Sequence, residues 1–398
     1  MTKYIICLGD GMADHPIKQL NNKTPLSYAK TPAMDWVARK GRLGMVHSVP
    51  NGLHPGSDVA NMGILGYNPK QYYTGRGPIE AASMGVPLPE GKLIFRCNLV
   101  TIQDEKMLEF TAGHITTEES HQLIDELNNA FNGEGVQFFP GVSYRHIVVL
   151  DEKYKDLVCC APHDILDQSI ADYTPKGVEE RGMENIMAKA QKVLTQSKIN
   201  QKRREADLAE ANSIWPWSQG KYPSLPSFKE KYNLTGGIIT AVDLLKGLAK
   251  LAGLSAPDVK GATGFLDTNY KGKVESALDI LKKEDFVYLH VEAPDEAGHM
   301  GDERLKVKAI EDFDQNIVAP VLSYVKNNSD VRMMVLPDHP TPCAIRTHTS
   351  DPVPFCMYGH EVGEDNHQKG YSEAYADEST YVFETPWQLT DTFLEVCS

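Results

Sequence analysis

Short apolar runs bounded by glycine, proline and acidic residues recur along the chain, with helix-period stretches between them. Residues 3–9 (K-Y-I-I-C-L-G) are one such run. They read as a buried strand closing on Gly9-Asp10-Gly11. Thr31-Pro32 opens a helix with proline at its first position, Gly41 and Gly44 end it, and Met45 to Val49 reads as the next strand. Pro55-Gly56 makes a sharp turn, and a helix starts around Ser57-Asp58. A linker, V-P-L-P-E-G at 86–91, precedes a change of texture. Strands are expected at 92–102, 106–111 and 144–150. Helices are expected at 116–131, where Thr116 and Glu119 form a capping box, and at 178–196. After a polar linker at 196–207, strands are expected at 213–220, 236–242, 285–291 and 331–336. A helix covers 243–251, one long helix separates the last two strands, and a final helix covers 386–397. This rhythm predicts an α/β protein with a mostly parallel sheet flanked by helices. Its core is discontinuous, 1–86 with 201–398. Residues 87–200 read as an inserted, smaller α+β domain that would cap an active site.

With 398 residues the chain has ample length for a large core, and 41% hydrophobic with 24% charged residues is the composition of a soluble globular protein. A net charge of -14 argues against a nucleic-acid binder, yet leaves room for a small anionic substrate in a local cationic pocket. No run has transmembrane length, so no membrane partner is expected. The N-terminal apolar stretch is too short for a signal peptide. The seven cysteines form no C-x-x-C pair, and Cys159-Cys160 are adjacent. They read as reduced thiols of a cytoplasmic protein.

The chemistry lies at the ends of strands. Asp10 follows the first, Asp295 and His299 follow 285–291, Asp338-His339 follow 331–336, and His348 lies in the loop beyond. In a parallel sheet these C-terminal ends form the ligand-binding edge. Asp295 and His299, four apart, share one face of a helical turn. Taken singly, each is a turn aspartate, a cap or a surface histidine. Together they read as a metal site, and mixed carboxylate and imidazole ligands suit Mn2+ or Zn2+ better than Ca2+. Six such ligands fit two ions better than one. Paired ions ~3.5–4 Å apart hold the attacking and leaving oxygens of a phosphoryl transfer. Ser57 reads locally as an ordinary helix N-cap. A helix N-terminus also favours an ionised hydroxyl and an attached phosphate, so the same serine can be both cap and metal-held nucleophile.

Several segments make the reading more specific. They are G-D-G-M-A-D (9–14), K-T-P-L (23–26), T-P-A-M-D (31–35), P-G-S-D-V-A-N (55–61), L-G-Y-N-P (65–69), Y-T-G-R-G-P-I-E-A (73–81), F-R-C-N-L-V-T (95–101), D-E-A-G-H (295–299) and P-D-H-P-T-P (337–342). With them, nearly the whole chain resembles the cofactor-independent phosphoglycerate mutases of the archaeal type, a branch of the alkaline phosphatase superfamily. The resemblance implies an alkaline-phosphatase-like core and two divalent ions. One would be held by Asp295, His299 and His348, the other by Asp10, Ser57, Asp338 and His339. It implies that Ser57 takes the phosphoryl group of a small phosphorylated substrate, 3-phosphoglycerate, and returns it to the other hydroxyl to give 2-phosphoglycerate. No bisphosphoglycerate is needed. Water must be excluded or the phosphoserine would hydrolyse. Arginine forks suit phosphate and carboxylate alike, which makes Arg76, Arg96 and Arg145 the expected clamps, with His146, His163 and Lys246 beside them. The alternative is a related phosphotransferase with another acceptor. Residues 210–220, with Trp215 and Trp217, look more like a bacterial branch proposed to phosphorylate homoserine. No G-x-x-x-x-G-K-[ST] loop is present, which argues mildly against a nucleotide donor. A phosphatase or phosphonate-cleaving enzyme would use the same ligands, and a non-catalytic scaffold is disfavoured because nucleophile and ligands are all present.

Overall fold

The apolar N-terminal run becomes the centre of a seven-stranded sheet in the computed structural model, which describes residues 2–364 and 369–394. Twelve strands form among the described residues. In chain order they are β1 (Lys3–Gly9), β2 (Arg42–Val46), β3 (Lys92–Gln103), β4 (Lys106–Glu109), β5 (Gln137–Phe139), β6 (Arg145–Asp151), β7 (Ser213–Gly220), β8 (Gly236–Ile239), β9 (Phe286–Val291), β10 (Val331–Leu336), β11 (Val353–Gly359) and β12 (Val382–Phe383). The chain divides into two compact units, Met1–Tyr73 with Ser224–Ser398, and Thr74–Pro223.

The first unit holds the sheet β12-β2-β11-β10-β1-β9-β8. β1 pairs in parallel with both β10 and β9, and β8 pairs in parallel with β9. Strands buried on both faces must be apolar throughout. Ile5, Ile6, Cys7 and Leu8 are fully buried, as are Val287, Leu289, Met333 and Val335. β11 runs antiparallel to β10 and β2, a reversal the apolar pattern did not predict. Pro354 inside V-P-F-C-M-Y-G weakens the strand signal there. β2 begins at Arg42, three residues before the expected Met45, because the preceding helix Pro32–Lys40 gives way at Gly41 directly into the sheet. The single long helix expected between β9 and β10 is instead three helices, Ala293–Met300, Glu303–Phe313 and Ala319–Asn327. Gly301 caps the first in the left-handed conformation, and a π-helical turn, Asp314–Val318, joins the other two. The last helix runs from Pro386 to Phe393, and residues 395–397 of the expected helix lie outside the described residues.

The second unit is wider than the expected 87–200. β3 pairs antiparallel with β6, with β7 and, beyond Thr101, with β4, so the 213–220 strand belongs here and not to the core. The helix Arg76–Met84 belongs here too. Gly77 packs so closely that a Cβ would sit 2.7 Å from the Arg96 backbone nitrogen and 2.6 Å from the Ser218 carbonyl oxygen. The helix Thr117–Ala130 starts with the expected capping box between Thr116 and Glu119. It and the helix Glu180–Gln196 bury Leu123, Ile124, Leu127, Met183 and Leu194 against Phe95, Cys97 and Leu99 of the sheet.

Candidate functional site

Seven residues from five separate segments converge in the first unit. Asp10 is the first residue after β1, and its backbone N–H still donates to Val291 at the end of β9. Gly11 follows with φ +61, and a Cβ there would lie 2.5 Å from Thr341 Oγ1 and 2.6 Å from Asp295 Oδ1. Only glycine lets the chain turn this tightly against Asp295. The helix Ala293–Met300 follows β9 with only Glu292 between them. Its i,i+4 spacing brings His299 Nε2 to 3.2 Å from Asp295 Oδ2. His348 Nε2 lies 3.4 Å from Asp295 Oδ1 and 2.9 Å from His299 Nε2. Asp338 and His339 leave β10 fully buried, with His339 Nε2 3.3 Å from Asp338 Oδ2 and 3.7 Å from Asp10 Oδ1.

Ser57 Oγ lies 3.1 Å from His339 Nε2. Its place differs from the local expectation in one respect. Gly56, with extended backbone, occupies the N-cap and Ser57 is the first helical residue of Ser57–Ile64. The hydroxyl is therefore released from capping and turned to the buried imidazole.

Two trios have ligand atoms mutually within 4.8 Å: Asp295, His299 and His348, and Asp10, Asp295 and His339. Asp295 is common to both. Burial pushes the Asp10 carboxyl well above its ordinary range, and the Asp338, Asp295 and Glu292 carboxylates push it further. Burial acts the same way on Asp295, but hydrogen bonds from His299 and His348 hold it well below that range. His299 rises to about 9, because Asp295 outweighs the burial that opposes its charged form. Burial lowers His339 to about 4. Asp10 Oδ1 is buried with no hydrogen-bond partner among the described residues. Crowded carboxylates, neutral imidazole and an orphaned oxygen form a donor set that a divalent cation would complete.

Sequence reasoning missed the groups that hold these side chains. Asn61 donates to Asp338 Oδ2 at 2.8 Å and to the Ser57 carbonyl at 2.9 Å, and it accepts from the buried Tyr288 hydroxyl at 2.5 Å. Thr341 donates to Asp295 Oδ1 at 2.5 Å, and His290 Nε2 lies 2.8 Å from Asp10 Oδ2. Asn61 sits four residues after Ser57 on one helix face, and His290 is the lone polar residue in the run F-V-Y-L-H-V. Both signals were present in the sequence. Lys306, fully buried, donates to Asp14 Oδ2 at 2.8 Å, to the Thr341 carbonyl at 2.8 Å and to the Ala13 carbonyl at 3.0 Å, tying two of the loops together.

The second unit carries a separate cationic cluster. Arg76 Nε donates to Glu80 Oε1 at 2.7 Å, and Arg96 Nη1 lies 3.1 Å from the same oxygen. Burial alone would raise Glu80, yet Arg96 and Arg76, with a smaller contribution from Arg145, hold it below its ordinary value. Burial lowers Arg96 to about 10, against the opposing pull of Glu80. The Arg96 guanidinium stands 4.9 Å from the Trp217 ring centre, and Trp217 donates to Asn98 Oδ1 at 3.1 Å. The Nε groups of Arg96 and Arg145 are buried without a hydrogen-bond partner among the described residues. Two guanidiniums contact one carboxylate and a third adds a weaker electrostatic pull on it, a grouping of positive charge suited to an anion.

The other three expected substrate residues are placed differently. His163 packs its ring 5.5 Å from Trp217, beside this cluster. His146 follows Arg145 on β6, so strand alternation sends it to the opposite face, where its Nδ1 accepts from the Gly141 N–H at 3.0 Å. Lys246 belongs to the first unit and pairs with Asp258 Oδ1 at 2.6 Å.

Residues 38–200 match the profile of a family described as 2,3-bisphosphoglycerate-independent phosphoglycerate mutase. An enzyme of that name from Methanothrix thermoacetophila is 48% identical over 95% of this chain and 96% of its own length. A solved structure from Pyrococcus horikoshii superposes with a TM-score of 0.82 at 29% identity, covering 100% of this chain and 98% of that one. The cofactor-independent phosphoglycerate mutase of Thermoplasma acidophilum does so with a TM-score of 0.66 at 27% identity, covering both chains completely.

Proposed function

Since the chain belongs to the 2,3-bisphosphoglycerate-independent phosphoglycerate mutase family, we propose that it interconverts 3-phosphoglycerate and 2-phosphoglycerate through a phosphoserine at Ser57. The convergence of Asp10, Asp295, His299, Asp338, His339 and His348 around that serine supports the reading most directly. The donor set fits two divalent ions such as Mn2+ or Zn2+. Asp295, His299 and His348 would hold one. Asp10, Asp338, His339 and Ser57 would hold the other, with Asp295 near enough to serve both. Bound there, such ions supply positive charge for the phosphoryl oxygens and favour the ionised serine hydroxyl.

The chain's own groups then divide the work. Ser57 Oγ forms a bond to phosphorus while the bond from phosphorus to the substrate's 3-oxygen breaks. That oxygen takes a proton, leaving glycerate. The 2-hydroxyl next gives up its proton, attacks the phosphoserine and frees Ser57. Ser57 is the first residue of the helix Ser57–Ile64, and the positive end of a helix dipole suits an anion carried there. Arg76, Arg96 and Arg145 bind the substrate's phosphate or carboxylate, with His163 beside them. The Trp215–Trp217 segment, which had pointed to a homoserine-phosphorylating relative, lines the Arg96 side of this cluster through Trp217.

Phosphorus NMR of the Mn2+-loaded protein tests the reading. Conversion of 3-phosphoglycerate without added bisphosphoglycerate is expected, with no phosphorylation of homoserine by ATP in a parallel assay. Homoserine phosphate formed without mutase turnover would overturn it in favour of the alternative acceptor.

A further inference from the structure

His290 is fully buried near the end of β9 and belongs to neither ligand trio. Register places it opposite Leu8 on β1, two residues before Asp10. Its Nε2 lies 2.8 Å from Asp10 Oδ2 and its Nδ1 lies 3.1 Å from Thr240 Oγ1. The Thr240 hydroxyl accepts from the Val242 N–H at 3.0 Å, so its own hydrogen is available to Nδ1. The His290 backbone is fixed as well, since the buried Lys273 ammonium donates to its carbonyl at 3.0 Å. A carboxylate that binds a cation is ionised and can only accept. The ring must then carry its hydrogen on Nε2 and receive one at Nδ1.

We propose that His290 is the positioning residue for Asp10: its Nε2–H holds Oδ2, the Thr240 hydroxyl sets its tautomer, and Oδ1 is left facing His339 and the ion. The inference rests on the metal reading above. It assigns His290 a role at one of the two ions, because among the described residues its side-chain hydrogen bonds run to Asp10 and Thr240 and not to His299 or His348. Partners of this kind fix ligand orientation and raise metal affinity about 10–100-fold.

The test is Mn2+ titration of metal-stripped protein, with free Mn2+ read by electron paramagnetic resonance and folding checked by circular dichroism. Wild type should bind two ions. In His290→Leu one ion should bind roughly 10–100-fold more weakly and the other unchanged. His290→Gln, whose amide N–H reaches the place of Nε2, should restore most of the loss. Unchanged binding of both ions by a folded His290→Leu would overturn the inference, as would a His290→Gln no better than leucine. Should His290→Leu fail to fold, Thr240→Val decides. Weaker binding of one ion supports the role, and wild-type binding by Thr240→Val rejects it. A wild type that takes up neither Mn2+ nor Zn2+ would remove the metal reading itself, and the inference with it.

Discussion

Ser57 is placed by its neighbours. Gly56 takes the N-cap, the helix begins on the serine, and the hydroxyl meets His339 Nε2. Ser57→Ala is therefore expected to lower turnover by roughly 10⁴-fold or more while two Mn2+ still bind and the melting curve stays in place. Near-native turnover would rule out the covalent route. The strand-end aspartates and histidines were legible because Asp and His stand out after apolar runs. The pairings of Asn61 with Asp338, Thr341 with Asp295 and His290 with Asp10 were not, because strand order and not sequence distance brings those partners together. His290 meets Asp10 only because β9 lies beside β1. For the same reason Glu80 could not be seen as the shared partner of Arg76 and Arg96, since Arg96 lies on β3 and reaches Glu80 only where Gly77 permits close packing.

Among elements, the helix Glu303–Phe313 has a second task beyond crossing from β9 to β10. It delivers the Lys306 ammonium to Asp14 and to the carbonyls of Ala13 and Thr341, all out of water. Removing one partner of a buried pair leaves an uncompensated charge, so Lys306→Ala is expected to cost about 3–5 kcal/mol in urea unfolding. Adding Asp14→Asn should recover part of that loss, and additive losses would show that the pair is not coupled. The apolar runs of β1, β9 and β10 were readable because strands buried on both faces must be apolar throughout. β11 was not, because a proline interrupts its pattern. The break of the expected long helix depends on Gly301 and on a π-turn stabilised where Asp314 accepts from the N–H groups of Ala33 and Met34, a contact distant in sequence.

For the whole molecule, acidity acts through histidines buried without charge. His146 stays neutral in the folded second unit down to about 3, whereas the unfolded chain takes a proton near 6.5. The unfolded state binds more protons between those values, so stability falls as pH drops through that window and is regained as it rises. From pH 7 to pH 5 this group alone should remove roughly 2 kcal/mol. Urea unfolding of His146→Asn, whose side-chain oxygen can still accept from Gly141, should show a fall smaller by that amount, and an equal fall would place the sensitivity elsewhere. The expected insert was 87–200, whereas the second compact unit covers Thr74–Pro223. The 86–91 proline stretch looks like a boundary, yet the packing of Arg76–Met84 and the pairing of β7 carry the second unit past it on both sides.

The pairing of β1 also has a temporal meaning. Lys3 stands opposite Val331 and Tyr4 opposite Phe286, so the first strand made has no lasting partner until most of the chain exists. All the strand pairings of Thr74–Pro223 lie within that segment. On a ribosome adding about 5–20 residues per second, the second unit can therefore fold while the N-terminal strand is still waiting. The nucleophile is synthesised early, and the imidazole it faces arrives among the last.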